Sequence, residues 1–477
     1  MSRNRIILLI LIILFIVSIV RYFSEVGTAL STYSLSLTVG SAFLVTILSF
    51  FVEDKKEFPN KLIRIAPIFI IGYVAVHFFA YLAYTLSYID YIVALNFVDI
   101  HIINEAAIFS LICLEAFVLG YIATKKGFKK RKSMQCRVKN ELDYLALFFL
   151  VLFYVTMDKR YFQSGGNFEL VNKEGGISII TILSQVLLMA SLIGSALCKI
   201  YRNNINSFSQ YARSFSKTYY FTLLVYFALV ILSGDRGPLL QVGFSFFAVY
   251  YFISRKKIKL KIIIPASLII VFGLNILGNL RGIDGELNMK KITNANAMFS
   301  DNIANENFIF SSTRELWIVV RAYNVIYNET KKNGTTEGIG LIDQFLGVIP
   351  GLRPLIIYPI FGESEKIIST NQLSTKLLES EFGMGSSCCG DIYYHVGFIL
   401  SIIIFILFGC FVKKMDLELY SKNHNLFWLA FSSNYLFLAI YLGRGLLTNP
   451  INISVYTFLL IYFVSKIKKS NSTPQII

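Results

Sequence analysis

Charge is scarce in this chain: Asp, Glu, Lys and Arg together make up 16% of its 477 residues, against roughly 25% in soluble domains. That shortage excludes an ordinary water-soluble enzyme and a disordered tail, both of which rely on charge. Cysteine is thin as well. Cys113, Cys136, Cys198, Cys388, Cys389 and Cys410 form no C-x-x-C pair and mostly lie in or beside apolar runs, so neither a disulfide framework nor a zinc site is expected. The adjacent Cys388 and Cys389 read as two small loop hydrophobes rather than as a strained vicinal disulfide. His77, His101, His395 and His424 are scattered and suggest no metal cluster. The P-loop, the strand-to-helix G-x-G-x-x-G turn, H-E-x-x-H and G-x-S-x-G are all missing, which leaves ATP-driven transport and zinc proteolysis without support.

What the chain has is hydrophobicity: 55% of its residues are apolar, 15% are aromatic, and the mean hydropathy is +0.61. A helix needs about 20 apolar residues to cross the hydrocarbon, and a backbone otherwise crosses only as a closed barrel. The apolar runs are continuous rather than alternating, so they predict helices at 6–22, 27–52, 62–89, 101–123, 143–157, 177–198, 218–233, 238–254, 260–280, 392–412, 426–442 and 451–465. The first run follows Arg3 and Arg5 but lacks a small-residue cleavage site, so it reads as a retained anchor rather than a signal peptide.

The net charge of +16 would suggest nucleic acid in a soluble protein; here it suggests basic loops held on one side of a membrane, with no nucleic-acid partner. With the N-terminus cytoplasmic, 29 of the 45 Lys and Arg fall in inside segments and six in short outside segments; the other ten lie in 281–390, a stretch too long for the rule to count. The expectation is an all-α, polytopic membrane bundle of about twelve transmembrane helices with both termini cytoplasmic. It divides into a nine-helix region at 1–280, one large extracytoplasmic loop at 281–390 and a three-helix region at 391–477. A loop that long is usually functional and is expected to pack on the outer mouth of the bundle. Within it, 311–328 reads as an amphipathic helix, with Arg314, Trp317, Arg321 and Asn328 on one stripe and Leu316, Val319, Val320, Tyr323, Ile326 and Tyr327 opposite.

Three Arg-Gly dipeptides stand where spans meet the outer surface: Arg236-Gly237, Arg281-Gly282 and Arg444-Gly445. A guanidinium matches phosphate bidentately, a glycine lets backbone approach a ligand, and Pro238 leaves a positive helix end facing the same side. Arginines at helix ends also commonly reach for lipid headgroups, but these oppose the positive-inside bias instead of following it. Arg314, Arg321 and Arg353 add to that face, though a loop arginine is more often a solvated surface residue.

Among acids on that side, Asp235 can simply pair with Arg236. Asp391 and His395 lie four residues apart on one helix face, a spacing that suits a general base; the commoner case is a capping aspartate beside a satisfied histidine. The fourth span holds His101, Asn104, Glu105 and Glu115. Intramembrane ionisable groups suggest function by default, while a protonated Glu115 pinning two helices is the plainer reading.

The run Ile231-Leu232-Ser233-Gly234-Asp235-Arg236-Gly237-Pro238-Leu239-Leu240 resembles the Ser-Gly-x-Arg-Gly signature of bacterial O-antigen polymerases of the Wzy type. The Gly- and Ser-rich run from Gly383 to Phe398 resembles a second segment of that family, with His395-Val396-Gly397 where the family more often has Asn-Phe-Gly. The resemblance implies a plasma-membrane polysaccharide polymerase. Its substrates would be oligosaccharide repeat units on undecaprenyl diphosphate, each transfer moving the growing chain onto the non-reducing sugar of an incoming unit. It implies no cofactor and no metal, contact with membrane lipid, and a chain-length regulator as a possible partner. Within that reading Arg236, Arg281, Arg444, Arg321 and Arg314 are diphosphate-binding candidates, Asp235, Asp391 and Glu381 unranked base candidates, and Trp317 a sugar-stacking candidate. An O-antigen ligase and a lipid-linked oligosaccharide flippase remain as alternatives.

Overall fold

A computed structural model describes residues 3–51, 64–89, 99–124, 138–162, 179–202, 205, 207–233, 237–253, 319–349, 352, 355–356, 358–361, 369–380, 384–421 and 425–471. In chain order its helices are α1 (Arg3–Ser24), α2 (Thr32–Phe51), α3 (Ile65–Thr85), α4 (Ile103–Ala123), α5 (Glu141–Thr156), α6 (Ile179–Arg202), α7 (Phe208–Arg213), α8 (Lys217–Ser233), α9 (Gly237–Ile253), α10 (Val319–Asn333), α11 (Ile339–Leu346), α12 (Tyr358–Phe361), α13 (Thr370–Leu377), α14 (Cys388–Leu419), α15 (Leu426–Leu438) and α16 (Asn449–Asn471). No strand occurs among the described residues. Seven of the helices are long and apolar enough to cross a membrane, and shorter apolar helices accompany them. Helices stand at eleven of the twelve predicted spans; the span at 260–280 lies outside the described residues.

The helices assemble in two groups. α4 is buried almost throughout and packs most extensively on α14, with α1, α2 and α3 beside it, while α5, α6, α8, α9 and α16 form the second group and α15 touches both. Between α4 and α14 the approach is set by glycine. A Cβ on Gly120 would overlap the Ile406 carbonyl, and one on Gly409 would overlap that of Phe117. Helices in lipid gain by such close backbone contact because apolar burial alone favours neither state.

Polar clusters fasten both ends. At one end the Asp416 carboxylate accepts from the Ile65 amide at 2.7 Å and from the Tyr121 hydroxyl at 3.0 Å, and that hydroxyl accepts from Arg64 at 3.0 Å. At the other end α10 enters the bundle. It spans Val319–Asn333, and residues 311–318 of the predicted amphipathic helix lie outside the described residues. Val319, Val320, Tyr323, Ile326 and Tyr327 are buried as the helical stripe predicts, and Arg321 is half-buried. The helix packs against α14, α13, α3 and α4. Asn324 is buried where Tyr81 of α3 donates to its side chain at 3.0 Å.

Four cysteines, Cys113, Cys388, Cys389 and Cys410, are free, the adjacent pair included. Cys198 is disulfide-bonded, a bridge that the cysteine spacing did not suggest.

Candidate functional site

The first turns of α14 carry the site, and local sequence dictates their shape. Ser387 caps the helix by accepting from the Gly390 amide at 3.2 Å, and Asp391 in the first turn complements the positive helix end. The helix is interrupted at Gly397, whose φ of 74° suits glycine and strains any side chain. The interruption frees carbonyls that an unbroken helix would use. The loop after α10 takes them: the Thr336 amide donates to the Tyr394 carbonyl at 3.0 Å, and the Gly338 amide to the His395 carbonyl at 2.8 Å.

That loop leads into α11, which lies directly on His395. A Cβ on Gly340 would overlap the imidazole, so only glycine permits this approach. One turn later Gln344 donates to both Asp391 oxygens, at 3.1 and 2.9 Å. From α13, Thr370 donates its hydroxyl to Asp391 at 2.7 Å and shares a second hydrogen bond with Ser386 at 2.7 Å. His395 Nε2 stands 3.3 Å from Asp391, and its Nδ1 is 2.8 Å from the Thr336 hydroxyl. His395 Nε2 also stands 3.2 Å from the Gln344 side-chain nitrogen, so the ring sits between the carboxylate, the amide and the Thr336 hydroxyl. Asp391 and His395 are both about 1% exposed, and burial strengthens each of these contacts.

Arg444 is placed beside this cluster by a 3-10 turn at Leu442–Arg444. Its Nε lies 3.4 Å from where a Gly385 Cβ would stand. Four residues on, Thr448 donates to the Gln344 side-chain oxygen at 2.9 Å, and Gln344 in turn holds Asp391. A guanidinium and a carboxylate thus sit on connected supports, as charge stabilisation and proton transfer require. Arg321 stands on α10, the helix packed on the same part of α14. Asp235, Arg236, Arg281, Arg314, Trp317, Arg353 and Glu381 lie outside the described residues.

Gln344, Thr370, Thr336 and Thr448 carried no sequence signal, because isolated neutral polar residues match no motif. The polar set of the fourth predicted span divides in the structure. His101 is exposed ahead of α4, Asn104 holds the α1–α2 connection through the Ala29 carbonyl at 2.9 Å, and Glu115 accepts from Ser18 of α1 at 3.0 Å. Glu105 anchors α10, accepting from Tyr327 at 2.7 Å and from Lys331 at 2.7 Å. Burial first, then the neighbouring Tyr22, Tyr393 and Glu105, push the Tyr327 phenol well above its ordinary value, which keeps it a donor. Beneath the site, His77 of α3 is 2.7 Å from the Ser387 hydroxyl and ties the cap of α14 to the bundle.

Among known proteins, the family described as O-antigen polysaccharide polymerase Wzy matches residues 6–471, nearly the whole chain. No curated protein and no solved structure matches.

Proposed function

Because the chain belongs to the O-antigen polysaccharide polymerase Wzy family, and so polymerises lipid-linked oligosaccharide repeat units in a membrane, we propose that Asp391 is the base of that reaction. The polymerase reading displaces the ligase and the flippase. The donor in this proposal is an oligosaccharide on undecaprenyl diphosphate, the membrane is the bacterial plasma membrane, and the site faces outward with both termini cytoplasmic. A chain-length regulator is the expected protein partner.

The observation that carries the assignment is the hydroxyl already on Asp391. Thr370 presents an alcohol to the carboxylate at 2.7 Å, which is the contact an acceptor sugar hydroxyl needs. As the acceptor oxygen bonds to the anomeric carbon of the growing chain, its proton passes to Asp391 and the bond from that carbon to the diphosphate oxygen breaks. The diphosphate leaves on the lipid with increased negative charge. Arg444 and Arg321, together with Arg236, Arg281 and Arg314, supply the cations that stabilise it. Gln344 and His395 hold the carboxylate in place, and Trp317 offers a face for sugar stacking.

Asp391→Asn keeps the shape and removes the base. It should lower polymer formation by about a hundredfold or more, read as collapse of the lipopolysaccharide ladder to a single repeat unit, with membrane insertion unchanged. Intact long ladders from Asp391→Asn would remove Asp391 from the mechanism.

A further inference from the structure

α11 has two faces, and the site beneath it accounts for one. Gly340 lies on His395 and Gln344 reaches Asp391. Ile342 and Phe345 turn away from the bundle, 49% and 56% exposed, and Ile349 continues beyond the helix end at 55%. Residues three and four apart fall on one stripe of a helix, and an apolar stripe left in water is costly.

Contacts with α14 set the level of this stripe along the bundle. The Gly338 amide bonds the His395 carbonyl at 2.8 Å, and the Thr335 methyl lies 3.4 Å from where a Gly397 Cβ would stand. Immediately after the interruption Phe398 packs on Tyr22 and Phe23, with ring centroids 4.5 and 5.5 Å apart. Phe23 is itself 63% exposed. From there α14 turns Ile399, Leu400, Ile403 and Leu407 outward, in a helix apolar and long enough to cross a membrane. α11 therefore begins beside the level at which the lipid-facing surface of α14 starts.

We propose that α11 is an interfacial helix, its Ile342, Phe345 and Ile349 seated among the acyl chains of the bilayer while its Gly340 and Gln344 face closes over Asp391 and His395. Bilayer lipid is the occupant, because α11 starts beside the level at which the outward apolar run of α14 starts, and a helix with one apolar and one polar face suits the interface. The element that orients Asp391 is then held down by lipid. The seating stands whether or not Asp391 is the base.

The test uses the full chain carrying Trp317→Phe and Trp428→Phe, which removes both native indoles. Phe345→Trp is then added in one sample and Leu407→Trp, on the lipid face of α14, in another. Each is reconstituted in phosphatidylcholine vesicles brominated either near the headgroup end or near the methyl end of the acyl chain. The Phe345→Trp indole should emit at short wavelength and be quenched more by the shallow bromine; the Leu407→Trp indole should be quenched more by the deep one. With the Leu407→Trp control quenched, a Phe345→Trp indole that emits as in water and responds only to acrylamide overturns the proposal. Shielding from both quenchers overturns it too, since that marks a face covered by protein.

Discussion

At the scale of single residues, a buried carboxylate is costly unless every lone pair is met, and Asp391 is met by a hydroxyl, an amide and an imidazole from three different segments. Such a group holds one geometry, which is what proton transfer to a fixed atom needs. The weak point is Gly340, where one added methyl would enter the His395 ring. Overpacking of this kind costs about 1–3 kcal/mol. Gly340→Ala should therefore displace His395 and shorten the polymer ladder, with the protein still present in membranes; ladder length and membrane abundance measured together check this. Little of this cluster was legible beforehand. The i,i+4 spacing of Asp391 and His395 was visible, but Gln344 lies 47 residues before Asp391 and Thr370 lies 21 before it. Nothing in a neutral amide or hydroxyl announces a partner so far along the chain.

At the scale of elements, α14 is the clearest case of pattern and exception. Its apolar run was readable as a span because a bilayer forces long apolar helices, yet the interruption at Gly397 was not, since an isolated glycine inside a helical run is ordinarily tolerated. The φ of 74° makes the position intolerant of a side chain. Gly397→Ala should destabilise the fold by about 1–3 kcal/mol and loosen the loop that bonds Tyr394 and His395. A lower melting temperature in detergent, together with faster amide exchange at Thr336 and Gly338, is the expected signature. α10 shows the opposite balance. Its buried stripe could be drawn on a wheel from Val319 to Tyr327, but its packing depends on Asn324 meeting Tyr81 and on Glu105 receiving Tyr327 and Lys331. Removing the Lys331 ammonium leaves the buried Glu105 charge with less compensation, a cost of about 1–3 kcal/mol. Lys331→Ala should release α10 far enough that trypsin cuts after Arg321 in intact vesicles, where the parent protein resists.

At the scale of the whole molecule, the twelve-span reading rested on two forces that a linear sequence displays directly, apolar length and the placement of Lys and Arg. How the spans pair off is not displayed that way, because in lipid the choice of partner rests on small residues such as Gly120 and Gly409 and on single polar contacts such as Ser18 with Glu115. The close seat of α14 against α4 has a further consequence for how the molecule is made. Synthesis runs from α1 onward, so α1 to α4 and α10 all exist before Cys388 is translated. They form the greater part of a slot that only the last fifth of the chain can fill. A product that stops short of Cys388 has no helix for Ser387 to cap beside His77, leaves the Gly120 surface of α4 uncovered and gives the Arg64–Tyr121 pair no Asp416. Truncation near the C-terminus thus yields a molecule open along its centre, of the kind that membrane proteases remove, and the late arrival of α14 is the step that locks the polymerase shut.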